Sequence, residues 1–175
     1  PKCVAVSHQP VPHFVEWQAR TFELDARDRF TMLSGLAHDP LMRDIFTPLS
    51  LGATLLIPQQ SAISEPGQLP LWFARERPTV AHLTPSMGRL LTAQGKKPVR
   101  LGDLRICFWG GELLAPGRIE AVRKVAPSAE HVNFYGSTET PQAASYFRCG
   151  EDLDWKYAPV GTGSDGFQVF VVDAD

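Results

Sequence analysis

His131-Val132-Asn133-Phe134-Tyr135-Gly136-Ser137-Thr138-Glu139-Thr140 joins an apolar and aromatic run to a glycine, hydroxyl residues and a carboxylate. The first half reads as a strand, 131–135, and the second as a turn at its carboxyl end. Upstream, Leu104 to Trp109 is a second apolar strand ending in Gly110-Gly111-Glu112, and Pro116 to Val125 between them reads as a helix. A strand–helix–strand order predicts parallel neighbours, so both glycine turns would leave the same edge of the sheet. Ligands of open α/β sheets bind at that edge. Backbone N–H groups and hydroxyls there can cradle phosphate and a carboxylate can hold Mg²⁺, which points to a nucleotide.

The same alternation extends outward. Val4 to Ser7 is a short β-like run, and Phe14, Trp17 and Phe22 follow Pro10 and Pro12 with nearly helical spacing. Phe30 to Leu33 reads as a strand. Asp39-Pro40 opens a helix with Leu41, Ile45 and Leu49 on one face, which Gly52 ends. Thr54 to Ile57 and Thr79 to Leu83 read as strands, Leu69 to Arg77 and Ser86 to Gln94 as helices, and Thr84-Pro85 would join the ligand edge. Ala143 to Phe147 and Phe167 to Val172 are β-like with no helix between, and Gly150 to Gly166 is a candidate mobile connection. The expected fold is α/β: a mostly parallel sheet flanked by helices, with antiparallel strands near the C-terminal end.

At 175 residues, 43% hydrophobic and with a formal net charge of -2, the chain can bury a core and carries no basic footprint for nucleic acid or an anionic membrane. Cys3, Cys107 and Cys149 are an odd set without C-x-x-C spacing, which fits reduced thiols in a cytoplasmic compartment better than disulfides or zinc. No stretch approaches a membrane span, so a soluble protein is expected. The ends read as those of a piece of a longer polypeptide.

Taken in order, these motifs resemble the adenylate-forming (ANL) superfamily, and within it the amino-acid adenylation domains of nonribosomal peptide synthetases. Pro1-Lys2-Cys3-Val4 is similar to the tail of the family's phosphate loop. His38-Asp39 with Phe46-Thr47-Pro48-Leu49-Ser50-Leu51-Gly52-Ala53 resembles the helix whose first aspartate binds the substrate's amino group. Leu83-Thr84-Pro85-Ser86, Gly110-Gly111-Glu112 and Asn133 to Glu139 follow in family order. Met32 to Pro40, Arg43-Asp44-Ile45-Phe46 and Ser145-Tyr146-Phe147 most resemble the α-aminoadipate-reductase-like type.

The resemblance implies ATP-dependent formation of an aminoacyl-AMP, with Mg²⁺, and transfer of the amino acid to the phosphopantetheine thiol of a carrier protein or neighbouring synthetase domain. It places Gly110, Gly111, Glu112, Asn133, Phe134, Tyr135 and Gly136 around the nucleotide, with Tyr135 stacking on adenine. Thr138 would contact the α-phosphate and Glu139 would bind Mg²⁺. Asp39, Pro40, Arg43, His82, Cys107, Trp109, Phe134, Gln142 and Ala143 would form the amino-acid pocket. Arg43, His82 and Gln142 favour a side chain that accepts hydrogen bonds, such as a carboxylate, while Trp109 and Phe134 narrow the space. Residues 1–175 would be one incomplete adenylation core, without the upstream phosphate loop or the C-terminal lysine-bearing subdomain, and inactive alone.

Other readings compete at each position. Asp39 is a sufficient helix cap, with Arg43 paired to it or to Asp44; His82 suits an apolar core, Cys107 is a small buried residue, Trp109 and Tyr135 are core aromatics, and Glu139 is a turn carboxylate. For the whole chain, an acyl- or aryl-CoA ligase or a non-catalytic interaction module is the alternative.

Overall fold

The computed structural model describes residues 3–93 and 99–173. Its elements are α1 (Pro10–Thr21), β1 (Arg29–Thr31), α2 (Pro40–Leu51), β2 (Thr54–Leu56), α3 (Gln60–Ser64), α4 (Gln68–Glu76), β3 (Val80–Leu83), α5 (Pro85–Leu91), β4 (Ile106–Trp109), α6 (Pro116–Val125), β5 (Glu130–Ser137), β6 (Thr140–Arg148) and β7 (Thr162–Gly163). The strands form one sheet in the order β2-β1-β3-β4-β5-β6-β7. Pairings from β2 to β5 are parallel, and β6 and β7 add antiparallel.

Helices cover both faces, so β3 and β4 are buried at every residue. Val80, Ile106, Phe108, Val132 and Phe134 face one core with Phe14 and Trp17 of α1. Ala81, Leu83, Cys107 and Trp109 face the other, with Leu69, Trp72, Leu91, Ile119 and Val122 from α4, α5 and α6. The period-two side-chain alternation of each strand thus assigns neighbouring residues to opposite cores.

Several expected elements differ. Val4 to Ser7 and Phe167 to Val172 form no strand; Val171 is 100% exposed, and β-rich residues make a strand only when a neighbour supplies the ladder. The segment 150–166 is anchored rather than loose: Asn133 Nδ2 donates to the Pro159 carbonyl at 3.0 Å, Ala158 N to Leu114 O at 2.8 Å, and Arg123 to Gly150 O at 2.6 Å. α3 was not anticipated, having too few apolar residues to show a period. The helix expected over Ser86 to Gln94 is α5, ending at Leu91; Gln94, like Pro1 and Lys2, lies outside the described residues.

Candidate active site at the carboxyl edge of the sheet

A crevice of about 580 Å³ opens where β1, β3, β4 and β5 end, closed on one side by the start of α2. Of the expected amino-acid-pocket residues, Asp39, Pro40, Arg43, His82, Phe134 and Gln142 line it. Gly110, Gly111, Glu112, Gly136 and Thr138 from the expected nucleotide set line it too, with Thr84 and Met87.

Asp39 starts α2 in helical conformation and its side chain makes no capping hydrogen bond. The carboxylate is therefore not engaged by its own helix, as a simple cap would be. Arg43 follows one turn later on the same face. It is 7% exposed; one guanidinium nitrogen reaches the Gln142 carbonyl at 3.4 Å, and its Cζ lies 5.9 Å from the Phe134 ring centre. No carboxylate among the described residues is within ion-pair distance of Arg43, and its Nε has no partner. Burial holds its pKa below the usual arginine value, opposed by the charges of Asp44 and Asp39. A guanidinium stays protonated in proteins, so the crevice presents a fixed cation with unfilled hydrogen-bonding capacity.

Behind it, Asp44 is fully buried and its Oδ2 accepts from the backbone N–H groups of Leu33 (3.3 Å) and Ser34 (3.1 Å). Asp44 Oδ1 lies 3.0 Å from His82 Nδ1. Burial opposes ionisation of Asp44, but the close approach of His82 and the charge of Arg43 outweigh it and hold the carboxyl below its usual range. His82 goes the opposite way: burial pushes it down and Asp44 does not fully compensate, so the fold favours the neutral imidazole.

The floor is aromatic. His82 stacks on Phe108 at 5.1 Å between centroids and Phe108 on Phe134 at 4.8 Å, in line with the pairing of His82 with Phe108.

This register removes two residues from the expected pocket. Cys107 and Trp109 are 0% exposed and point into the opposite core. Trp109 Nε1 donates to His131 Nδ1 at 3.0 Å, and its ring packs against Gly88 of α5. Burial raises the Cys107 thiol far above the usual range, so it supplies no thiolate. Asn133 also points away from the crevice and holds the Pro159 loop. Tyr135, on the same side of β5 as Asn133, is 56% exposed beside the crevice rather than inside it. Glu139 and Ala143 belong to a separate groove of about 390 Å³ with His13, Trp17 and Ser164. Phe108, Asp44 and Gln18 were missed. None of the three carries a local signal: Ile106 to Trp109 is apolar throughout, and Gln18 and Asp44 meet His82 only through the fold.

Glu112 accepts from both the Ser86 amide (3.1 Å) and hydroxyl (2.8 Å), tying the Gly110-Gly111 turn to the start of α5, where Thr84 caps the Met87 N–H at 3.1 Å. On the far wall, β6 bulges between its pairings with Tyr135 and Ser137. A Cβ on Gly136 would meet the Gln142 carbonyl at 3.2 Å and Ala143 Cα at 3.3 Å, so only glycine lets the bulge close on β5 without displacement. Gln142, at φ 83°, is thereby turned into the crevice.

The family model described as AMP-binding enzyme matches residues 1–175. The L-2-aminoadipate reductase of Schizosaccharomyces pombe is 45% identical over 147 residues, covering 84% of this chain and 10% of that protein. The L-2-aminoadipate reductase large subunit of Eremothecium gossypii is 40% identical over 181 residues, covering 99% of this chain and 13% of that protein. Among solved structures, the nonribosomal peptide synthetase FmoA3 bound to alpha-methyl-L-serine-AMP superposes with a TM-score of 0.89 at 28% identity, over 98% of this chain and 19% of that one. The Vibrio cholerae adenylation domain AlmE, in complex with glycyl-adenosine-5'-phosphate, gives 0.80 at 27% identity, over 91% of this chain and 30% of that one. The chain thus spans a small part of the length of these relatives. Its fold and sequence define an adenylate-forming domain of the ANL superfamily, homologous to those of peptide synthetases and aminoadipate reductases. The chain belongs to the AMP-binding enzyme family.

Proposed function

We propose that this chain forms the amino-acid pocket and part of the nucleotide site of an enzyme that activates an amino acid bearing an acidic side chain. A carboxylate oxygen of the amino acid attacks the α-phosphorus of ATP, the bond to the β-phosphate breaks, and pyrophosphate leaves. The aminoacyl-AMP then acylates the phosphopantetheine thiol of a carrier protein, releasing AMP. The protein's contribution to such chemistry is positioning and charge compensation.

The observation that carries this reading is Arg43: a buried guanidinium facing the crevice, without a carboxylate partner and with Nε unpaired. A substrate carboxylate would satisfy it through charge-assisted hydrogen bonds. Asp39, open to the same crevice, suits the α-ammonium group. The names of the Schizosaccharomyces and Eremothecium relatives point to a substrate of that charge pattern.

The residues present are compatible with a nucleotide. Tyr135 leaves ring surface open for a base, and the turn of Gly110 and Gly111 lets a ligand approach the backbone closely. Thr138 offers a hydroxyl to the α-phosphate. No three histidine, cysteine or carboxylate groups converge among the described residues. Glu139 follows Thr138 in sequence and is the expected Mg²⁺ ligand, but it lines the separate groove with His13 and Ser164, so its position here does not set it against a phosphate in the crevice. When bound, Mg²⁺ neutralises charge on the phosphates.

Asp39→Ala in the full polypeptide tests the ammonium assignment. Loss of one charge-assisted contact predicts a KM for the amino acid raised roughly 10- to 100-fold. An unchanged KM would favour a ligase for acids that lack the amino group.

A further inference from the structure

Gln18 lies on α1, is 0% exposed and takes no part in the crevice lining. Its Nε2 is 2.9 Å from His82 Nε2, and its Oε1 accepts from the Thr47 hydroxyl at 3.4 Å. On the other edge of the imidazole, Asp44 Oδ1 stands 3.0 Å from Nδ1. A neutral imidazole carries one N–H and one lone pair, and an ionised carboxylate can only accept. The Gln18 amide N–H₂ can only donate, so Nε2 is the lone-pair nitrogen and the proton sits on Nδ1, on the side of Asp44. The lone pair on Nε2 needs a donor, which the Gln18 amide supplies, and its Oε1 is left for Thr47, as found. The reverse tautomer would set the bare Nδ1 against the carboxylate.

Nε2 is thus bonded to Gln18 and Nδ1 faces Asp44 inside the fold, at 3.0 Å but without an aligned hydrogen bond, and His82 gives the crevice ring surface. The charged groups that bear on it are Asp44 and Arg43, both on α2. α1 turns Gln18 toward it and β4 turns Phe108. The geometry points to Gln18 and Asp44 as positioning residues that fix His82 as the neutral Nδ1-protonated tautomer, leaving Arg43 as the buried cationic donor of the pocket, with His38 also on the crevice wall. A protonated His82 would place a second cation beside Arg43 and change which ligand charge the pocket accepts. A neutral one keeps the pocket matched to a single acidic group. This extends the substrate reading above and rests on it for the identity of the ligand, though not for the state of His82.

The state of His82 is read by long-range ¹H–¹⁵N correlation on the full polypeptide, with ¹⁵N-histidine confined to this segment and His82 assigned by substitution. The expected spectrum shows a protonated Nδ1 and a bare Nε2 at neutral pH. An imidazolium or an Nε2-protonated ring overturns the proposal.

Gln18→Glu keeps the shape and replaces the donor with an acceptor, drawing a proton onto Nε2. In amino-acid-dependent ATP–pyrophosphate exchange by the full polypeptide, KM for an amino acid with an acidic side chain should shift roughly tenfold, with kcat within about threefold of the parent. That KM should also vary with pH between about pH 6 and about pH 8 in a way the parent's does not. A KM equal to the parent's with the parent's pH profile overturns the positioning role. If this variant does not fold, the spectrum of the unmodified protein still decides. The expected spectrum without any exchange by acidic amino acids would remove the substrate reading and leave the His82 assignment standing.

Discussion

Gln142 Nε2 donates to the carbonyl of Asp39 at 3.1 Å, bridging 103 residues of sequence to join the bulge of β6 to the first residue of the α2 cap. The bulge lies against Gly136, where a side chain would press on the Gln142 carbonyl. Gly136→Val should therefore move Gln142 and with it Asp39. The expected cost of this overpacking is about 1–3 kcal/mol, accompanied by weaker amino-acid binding. Urea denaturation and ligand titration of the same variant measure both; a variant of unaltered stability and affinity would refute the coupling.

Trp109 is assigned to the core rather than the pocket. Trp109→Phe removes the donor to His131 Nδ1 and leaves that buried nitrogen unpaired, which should destabilise the fold by about 1–3 kcal/mol. KM for the amino acid should stay within about twofold of the parent, because uniform binding contacts are not removed. Gly88→Ala approaches the same packing from the other side, since its Cβ would fall 2.6 Å from Trp109 Cζ3. A raised KM in Trp109→Phe with full stability would return Trp109 to the pocket.

Stability should fall on the acid side. Burial, helped by the Arg123 charge, pushes His131 down to about 4, below the unfolded value of about 6.5. The fold therefore favours the neutral ring. Its contribution is fully present above about pH 6.5 and is lost as pH falls toward about 4, a difference on the order of 3 kcal/mol. His82, also lowered by burial, acts in the same direction. Urea midpoints measured across this window should drop, and less steeply in His131→Leu. A flat profile would mean that His131 titrates normally.

Short-range chemistry was the most legible part of the sequence. Proline within the first turn and a left-handed Gly52 bound α2 as Asp39-Pro40 and Gly52 suggested. Pro116 and Val125 bound α6 at the expected residues. The pocket register was harder to read, because Ile106-Cys107-Phe108-Trp109 is apolar throughout and a strand buried on both faces shows no alternation. Cys107 and Trp109 were placed a residue away from Phe108 and Gly110, which occupy that face. Phe167 to Val172 had strand composition, but pairing is a property of two segments and no described residue pairs with it. Gln18 and Asp44 act on His82 through contacts 64 and 38 positions away in sequence, separations at which one chain gives no signal.

Under the proposed function, Arg43 receives the acidic side chain of an amino acid that is then adenylated. Amino-acid-dependent ATP–pyrophosphate exchange by the full polypeptide, run over a panel of neutral, basic and acidic amino acids and repeated with Arg43→Gln, tests it most directly. Exchange should be led by an acidic amino acid, with its KM raised roughly 10- to 100-fold by Arg43→Gln. Exchange led by a neutral or basic amino acid, and unaffected by Arg43→Gln, would contradict it.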